Sequence, residues 1–229
     1  MRSSNLSLLR LFQLMSPISP TGAFSYSQGL EWAVECGWLK SNDDTEKWLL
    51  SVLKNSLETL ELPLLIRLYQ AVKANDYEAF LYWSHYLSVN RETLELRDEE
   101  HQRARAIKTL LQKLDVNNEN DLLHEWSVAL EKSQIAVLAL AAVRWDISLQ
   151  DLIHGYAWSW LENSVSAAIK LVPLGQSQGQ QLLFSMSEDI VQSCIDCHQV
   201  NDDAIGASTP ALAIASSLHE TQYSRLFRS

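Results

Sequence analysis

Cys194-Ile195-Asp196-Cys197-His198 is the segment whose residue types come nearest to cofactor chemistry. Its C-x-x-C-H order is that of covalent haem attachment. On a helix the three side chains stand at i, i+3 and i+4, where they can face one metal ion. Haem attachment needs an exported and accessible segment, whereas this one closes an expected helix. No fourth ligand is evident, and cysteine is often a small core residue. A helical metal- or haem-binding protein using Cys194, Cys197 and His198 is therefore the alternative reading, not the first.

Other reactive groups do not converge. Asp98, Glu99 and Glu100 are adjacent, and adjacent helical positions diverge, so surface charge is the expectation rather than an acid–base pair. The histidines are scattered, and His219-Glu220 lacks a second histidine downstream for a metalloprotease helix. Ser25 and Ser27 lack the G-x-S-x-G setting of a nucleophile. No phosphate-binding G-x-x-x-x-G-K-[ST] loop occurs. The sequence therefore points to no catalytic residue, no cofactor and no preformed metal site.

Recognition is better represented. Tyr223, Arg225, Leu226, Phe227 and Arg228 crowd aromatic, apolar and cationic groups into the tail, and such residues anchor interfaces. Docking of this tail on the chain's own core is the competing reading. Ser16 to Trp38 holds two of the five prolines and three of the seven glycines, with Phe24, Tyr26, Trp32 and Trp38 among them. Pro17, Pro20 and Gly22 prescribe a turn. From Phe24 helical spacing resumes through Ser27, Leu30 or Glu31, and Val34, and Gly37 can cap the end. A shaped aromatic loop leading into a helix suits a protein gripped by others.

The elements that must position these groups are helices. Expected segments run over 4–15 and 24–36, then from a start near Asn42–Asp44 with a Trp48, Val52, Ser56, Leu60 stripe. Another starts at Pro63 and stops before Asn75, and Asp76 opens the next with Phe80, Trp83 and Leu87 on one side. Residues 91–113 form a charged helix with a solvated face, and 115–121 a loop. Ile135 to Val143 is apolar all round and belongs at the centre. Ser148 and Asp151 open a helix whose Gly155, Ala157, Ser159, Ser164, Ala167 and Ala168 permit close approach. Pro173 and Gly175 end it, Gly175–Gln180 makes a tight connection, and a further helix runs to about Gln199. Asn201–Thr209 reads as a mobile polar linker before a short helix from Thr209-Pro210.

Composition agrees. The chain has 229 residues, 47% of them hydrophobic, with eight tryptophans but only seven glycines and five prolines. That is turn-poor for a β protein and rich enough in apolar residues for a buried core. The expectation is all-α: one compact multi-helix domain of roughly nine or ten helices, residues 1–200, and a linker, short helix and mobile tail over 201–229. A net charge of −10 disfavours nucleic-acid backbones, and three cysteines fit a reducing, cytoplasmic compartment. Arg10 interrupts the first apolar run, leaving an amphipathic strip of Leu6, Leu9 and Phe12, so neither leader nor membrane span is expected.

Pro17 to Glu31 resembles the N-terminal signature of the urease accessory protein F family, and His219 to Ser229 resembles its tail. Pro17, Gly22, Phe24, Ser25, Tyr26, Ser27, Gly29 and Glu31 match the first signature. Glu92, Thr93 and Arg97 match a central E-T-x-E-x-R element, with Leu94 and Ala104 departing from the family's usual Arg and Gly. Pro173, Leu174, Gly175, Gln176, Gly179 and Gln180 match a P-L-G-Q-x-x-G-Q turn. The resemblance implies a non-enzymatic, all-α homodimeric chaperone for nickel insertion into urease. It also implies partners: a D- or H-type accessory protein, the G-type GTPase and apo-urease. Of these, Pro17, Gly22, Phe24, Ser25, Tyr26, Ser27, Gly29, Glu31, Glu92, Arg97, Gln176 and Gly179, with Tyr223, Ser224, Arg225, Leu226, Phe227 and Arg228, are the expected partner-binding positions. Nickel would be cargo, since no strong ligand set is preformed.

Overall fold

A computed structural model of the chain describes residues 2–19, 25–114 and 122–229, and no strand occurs among them. Pro20, Gly22 and Phe24, and the whole of the expected loop at 115–121, lie outside the described residues. The all-α expectation holds.

Helix α1 (Arg2–Met15) lies along α10 (Leu149–Leu171). It buries Leu11 and Leu14, while Leu6, Leu9 and Phe12 stay more than half exposed. The expected strip therefore faces outward, because Gly155 opens a seat for Leu11 on the other side. A Cβ at Gly155 would come within 2.9 Å of Leu11 Cδ1.

The second helix is shorter than its spacing suggests. Helix α2 is Leu30–Glu35 only, because Gln28 (φ 53°) and Gly29 (φ 79°) are both left-handed and cannot continue a right-handed turn. Gly37 caps the far end at φ 81°.

Ser41, one residue before the expected cap, accepts from the Asp44 amide and starts α3 (Asn42–Val52). A π-helical stretch, Leu53–Glu61, then leads without a break into α4 (Leu62–Ala74), where Pro63 occupies the first turn. Proline has no N–H to give Thr59, four residues back. The Thr59 carbonyl accepts from the Gly206 amide instead (3.1 Å), and the Asn55 carbonyl accepts from Ser208 (2.9 Å). Arg67 adds bonds to Asp202 and the Val200 carbonyl, Tyr86 one to the Ile205 carbonyl, and Ile205 is buried. Asn201–Thr209 is thus a strap bonded along the rod, where a linker was expected.

Asn75 in left-handed conformation ends α4, and Asp76 caps α5 (Tyr77–Asn90), with Phe80 and Leu87 fully buried. Helix α6 (Leu94–Leu114) corrects the solvated-face reading. Glu99 and Glu100 are buried beside Leu96, Ala104, Ile107 and Leu111, since each carboxylate finds a cation or several donors. Single turns α7 (Leu122–Glu125) and α8 (Ser127–Leu130) lead to α9 (Gln134–Arg144), whose residues 134–142 are all buried between α4 and α6. This is the expected central helix.

Ser148 caps α10, which packs along α11 (Gln176–Asp196). Gln176–Gln180 is not a connection but the opening of α11. Gly175 is its cap, and the Gln178 side chain accepts from the Gly175 amide (2.8 Å). Gly179 serves helix contact there, since a Cβ would lie 2.4 Å from Ile169 Cδ1. Helix α12 (Pro210–His219) packs on α2 and α6, and no helix among the described residues is long and apolar enough to cross a membrane.

Candidate functional site

The N-terminal signature and the tail, at opposite ends of the sequence, form one site. It begins at the turn before α2. The amides of Ser27 and Gln28 point the same way, and both donate to the main-chain oxygen of Ser229, at 2.5 and 3.0 Å. The Ser27 hydroxyl donates to that oxygen as well (2.6 Å), and the Arg228 amide donates to the Ser25 carbonyl (2.7 Å). Gly29 is required by proximity: a Cβ there would stand 2.8 Å from the Ser216 amide nitrogen on α12.

Glu31 fixes the next part of the tail. Its carboxylate accepts from the amides of Leu226 (2.6 Å) and Phe227 (2.9 Å), and faces His219 Nε2 at 3.2 Å. Such charge-assisted bonds are roughly twice as strong as neutral ones. His219 is fully buried, and its Nδ1 lies 2.7 Å from Glu95 on α6, whose other oxygen accepts from Arg225 Nη1 (2.7 Å). The ring thus lies between two carboxylates, one at each nitrogen. Phe227 enters an apolar pocket with Leu30, Ala33, Leu174, Ala168 and Ala215, and Lys170 sits 5.5 Å from its ring. The Ser229 hydroxyl reaches Glu99, which also holds Gln28 and Arg103.

The tail therefore alternates. Phe227 and Ser229 are buried, while Tyr223, Ser224, Arg225, Leu226 and Arg228 face outward. Eight polar bonds and one buried ring hold the tail in this docked state, where a mobile tail was expected. Tyr26 lies beneath, donating to Gln102, and burial followed by the Glu99 charge pushes its phenol above the usual range.

The central element belongs here in part. Thr93 bonds Ser216 of α12 and caps Leu96 (2.8 and 3.2 Å), and Glu220 caps the same helix from the Leu94 amide. Arg97 donates to the Arg91 carbonyl, holding the entry to α6, while Glu92 is exposed. Leu174 shares the pocket of Phe227, so the corner before α11 touches the site. Gln176 and Gly179 do not join it: Gln176 is exposed at the start of α11, and Gly179 shapes the α10–α11 contact. Pro17 lines a small cavity with Tyr26.

Sequence reasoning missed His219, Glu95 and Glu99, and with them a buried ion triad. Arg91 donates to Glu61 (2.9 Å) and Glu100 (3.0 Å), and Tyr156 donates to Glu61 (2.5 Å). Burial alone would raise the Glu61 carboxyl; the Arg91 guanidinium overcomes this and holds it below the usual range. A polar residue interrupting an otherwise apolar stripe, as Glu61 does between Leu60 and Leu62, was the available signal.

The C-x-x-C-H residues are not brought together. Cys194 and Cys197 are buried with thiols pushed up to about 12 by burial, and Cys197 Sγ donates to the Cys194 carbonyl, while His198 is exposed. No group of three or more His, Cys, Asp or Glu side chains among the described residues could hold a metal ion.

Comparison with known proteins gives a consistent result. The UreF family matches residues 39–187. A protein of Alcanivorax borkumensis named urease accessory protein UreF is 53% identical over 228 residues, covering 99% of this chain and all of the relative. Proteins of the same name from Alkalilimnicola ehrlichii and Teredinibacter turnerae are 45% identical over 224 residues and 44% over 225. They cover 96% and 98% of this chain, and 95% and 100% of their own lengths.

Proposed function

The chain belongs to the UreF family of urease accessory proteins, and from that premise we propose that its clasped ends form the surface on which the urease maturation complex assembles. The protein is a non-catalytic chaperone of urease nickel-site maturation, with a place in the urease accessory complex. The finer assignment rests on the tail. Residues buried in the clasp fix its backbone, so Tyr223, Leu226 and Arg228 are offered outward in one arrangement. Aromatic, apolar and guanidinium groups presented this way suit a protein partner.

In this reading a D- or H-type accessory protein grips the tail together with the 25–31 turn. The resulting assembly recruits the G-type GTPase and acts on apo-urease, and the chain works as a homodimer. Residues 1–200 serve as the helical body, and 201–229 as strap, short helix and partner-facing tail. The signature residues then act in two groups. Ser25, Ser27, Gly29 and Glu31 hold the tail, and Tyr223, Ser224, Arg225, Leu226 and Arg228 meet the partner. Nickel passes as cargo under the control of those partners.

The observation that carries this is the Glu31 carboxylate bonded to the Leu226 and Phe227 amides. Removal of Gln222–Ser229 tests it. Capture of the D- or H-type protein is expected to vanish in a pull-down while far-ultraviolet circular dichroism stays helical. Undiminished capture would refute the assignment.

A further inference from the structure

A small, partly open cavity of about 50 Å³ lies behind the clasp, between α1, α6, α9 and α10. Three polar atoms on its lining residues are shut off from bulk solvent and have no partner in the protein: Arg103 Nε, Gln134 Oε1 and Trp160 Nε1. They come from three different helices, and Gln134 is almost wholly buried. Glu61, Tyr156 and Tyr26 contribute further polar surface to the same walls.

Unpaired buried polar atoms are uncommon in native structures, and each needs an explanation. Coincidence of three in one space points to a ligand that supplies both donors and acceptors. Arg103 Nε–H and Trp160 Nε1–H need acceptors, and Gln134 Oε1 needs a donor. An anion would satisfy the first two but would face the buried Glu61 and Glu99 carboxylates. A cation would face the guanidinium and the indole N–H. A neutral molecule with both capacities meets all three. At about 50 Å³ the cavity exceeds the roughly 10–15 Å³ that a single water needs, so it has room for more than one.

We propose that this cavity is a built site for a resident water cluster, bonded to Arg103, Gln134 and Trp160, that joins the clasp to the helical core. The cluster touches the Tyr26 side of the turn and the Arg103 partner of Glu99, which also holds Ser229. The tail's seat is thereby linked through solvent to α9 and α10. Nothing in this depends on which protein the tail meets.

Two measurements on the full chain decide it. A crystal structure at a resolution that shows solvent should place ordered waters within hydrogen-bond distance of all three atoms. A dry cavity, a side chain filling it, or a small ion in it would overturn the proposal. The near-isosteric Gln134→Met replacement gives an independent sign. With waters present, the change leaves one short of a donor's target, and Tm should fall by about 2–4 °C. In a dry cavity it removes an orphaned acceptor, and Tm should rise; a rise rejects the cluster.

Discussion

The main-chain oxygen of Ser229 receives both the amide and the hydroxyl of Ser27, 202 positions earlier. Ser27→Ala removes the hydroxyl bond to Ser229 and the acceptor of the Glu31 amide, while the two main-chain amides should still retain the tail. A loss of about 0.5–1.5 kcal/mol in tail docking is expected, read as faster hydrogen exchange at residues 225–229 with unchanged helicity. No change in exchange would show the hydroxyl bond to be idle.

Glu31→Gln should do more. The neutral amide keeps an acceptor but loses charge assistance to the Leu226 and Phe227 amides and leaves His219 facing one carboxylate. About 1.5–3 kcal/mol is expected, with the two amides losing protection first and partner capture falling in parallel. Loss of capture with protection intact would place the effect on the partner side instead.

His219→Phe leaves Glu31 and Glu95 against an apolar ring, with Arg225 alone to offset Glu95. Thermal unfolding should occur roughly 2–8 °C lower, the effect of about 1–2 kcal/mol in a chain of this size. His219→Gln, which keeps one donor, should recover part of it. Equal Tm values for the two variants would deny the carboxylate bridge.

Gly179→Ala pushes a methyl onto Ile169 and should cost about 1–3 kcal/mol in urea unfolding by separating α10 from α11. Ile169→Val removes the clashing Cδ1 and should relieve the strain in the double variant. Additive losses would mean the contact is not the cause.

The cysteines predict a pH effect of definite sign. Folded Cys194 and Cys197 keep their protons to about 12, whereas the unfolded thiols release theirs near 9. The native state binds more protons between these values, so stability falls as pH rises from about 9 towards 12. A chromogenic disulfide reagent at pH 8 should titrate the exposed Cys36 alone in the folded protein and all three thiols in denaturant. Rapid reaction of three thiols without denaturant would contradict their burial.

Much of the fold was legible because its signals are local. Asp76, Ser148 and Thr209-Pro210 each mark a helix start within four residues, Asn75 and Gly37 mark ends, and Ile135–Val143 announces its own burial. The clasp was not legible, because each half satisfies the other across nearly the whole chain. Ser25–Gln28 reads as helix by spacing until Ser229 takes its amides. Glu99 and Glu100 read as surface charge because Arg103 and Arg91 show as neighbours in sequence, while the Ser133 and Ser229 donors that complete their burial do not. The resemblance identified both signatures without revealing that they touch.

The span between Ser27 and Ser229 also sets a clock. At typical ribosomal speed, roughly 10–40 seconds separate the appearance of the two residues. The turn must wait through that interval with its amides unmet, and any partner that recognises the clasp ignores nascent or truncated polypeptide. On the proposed reading, recognition of the clasp doubles as a check that translation has reached residue 229.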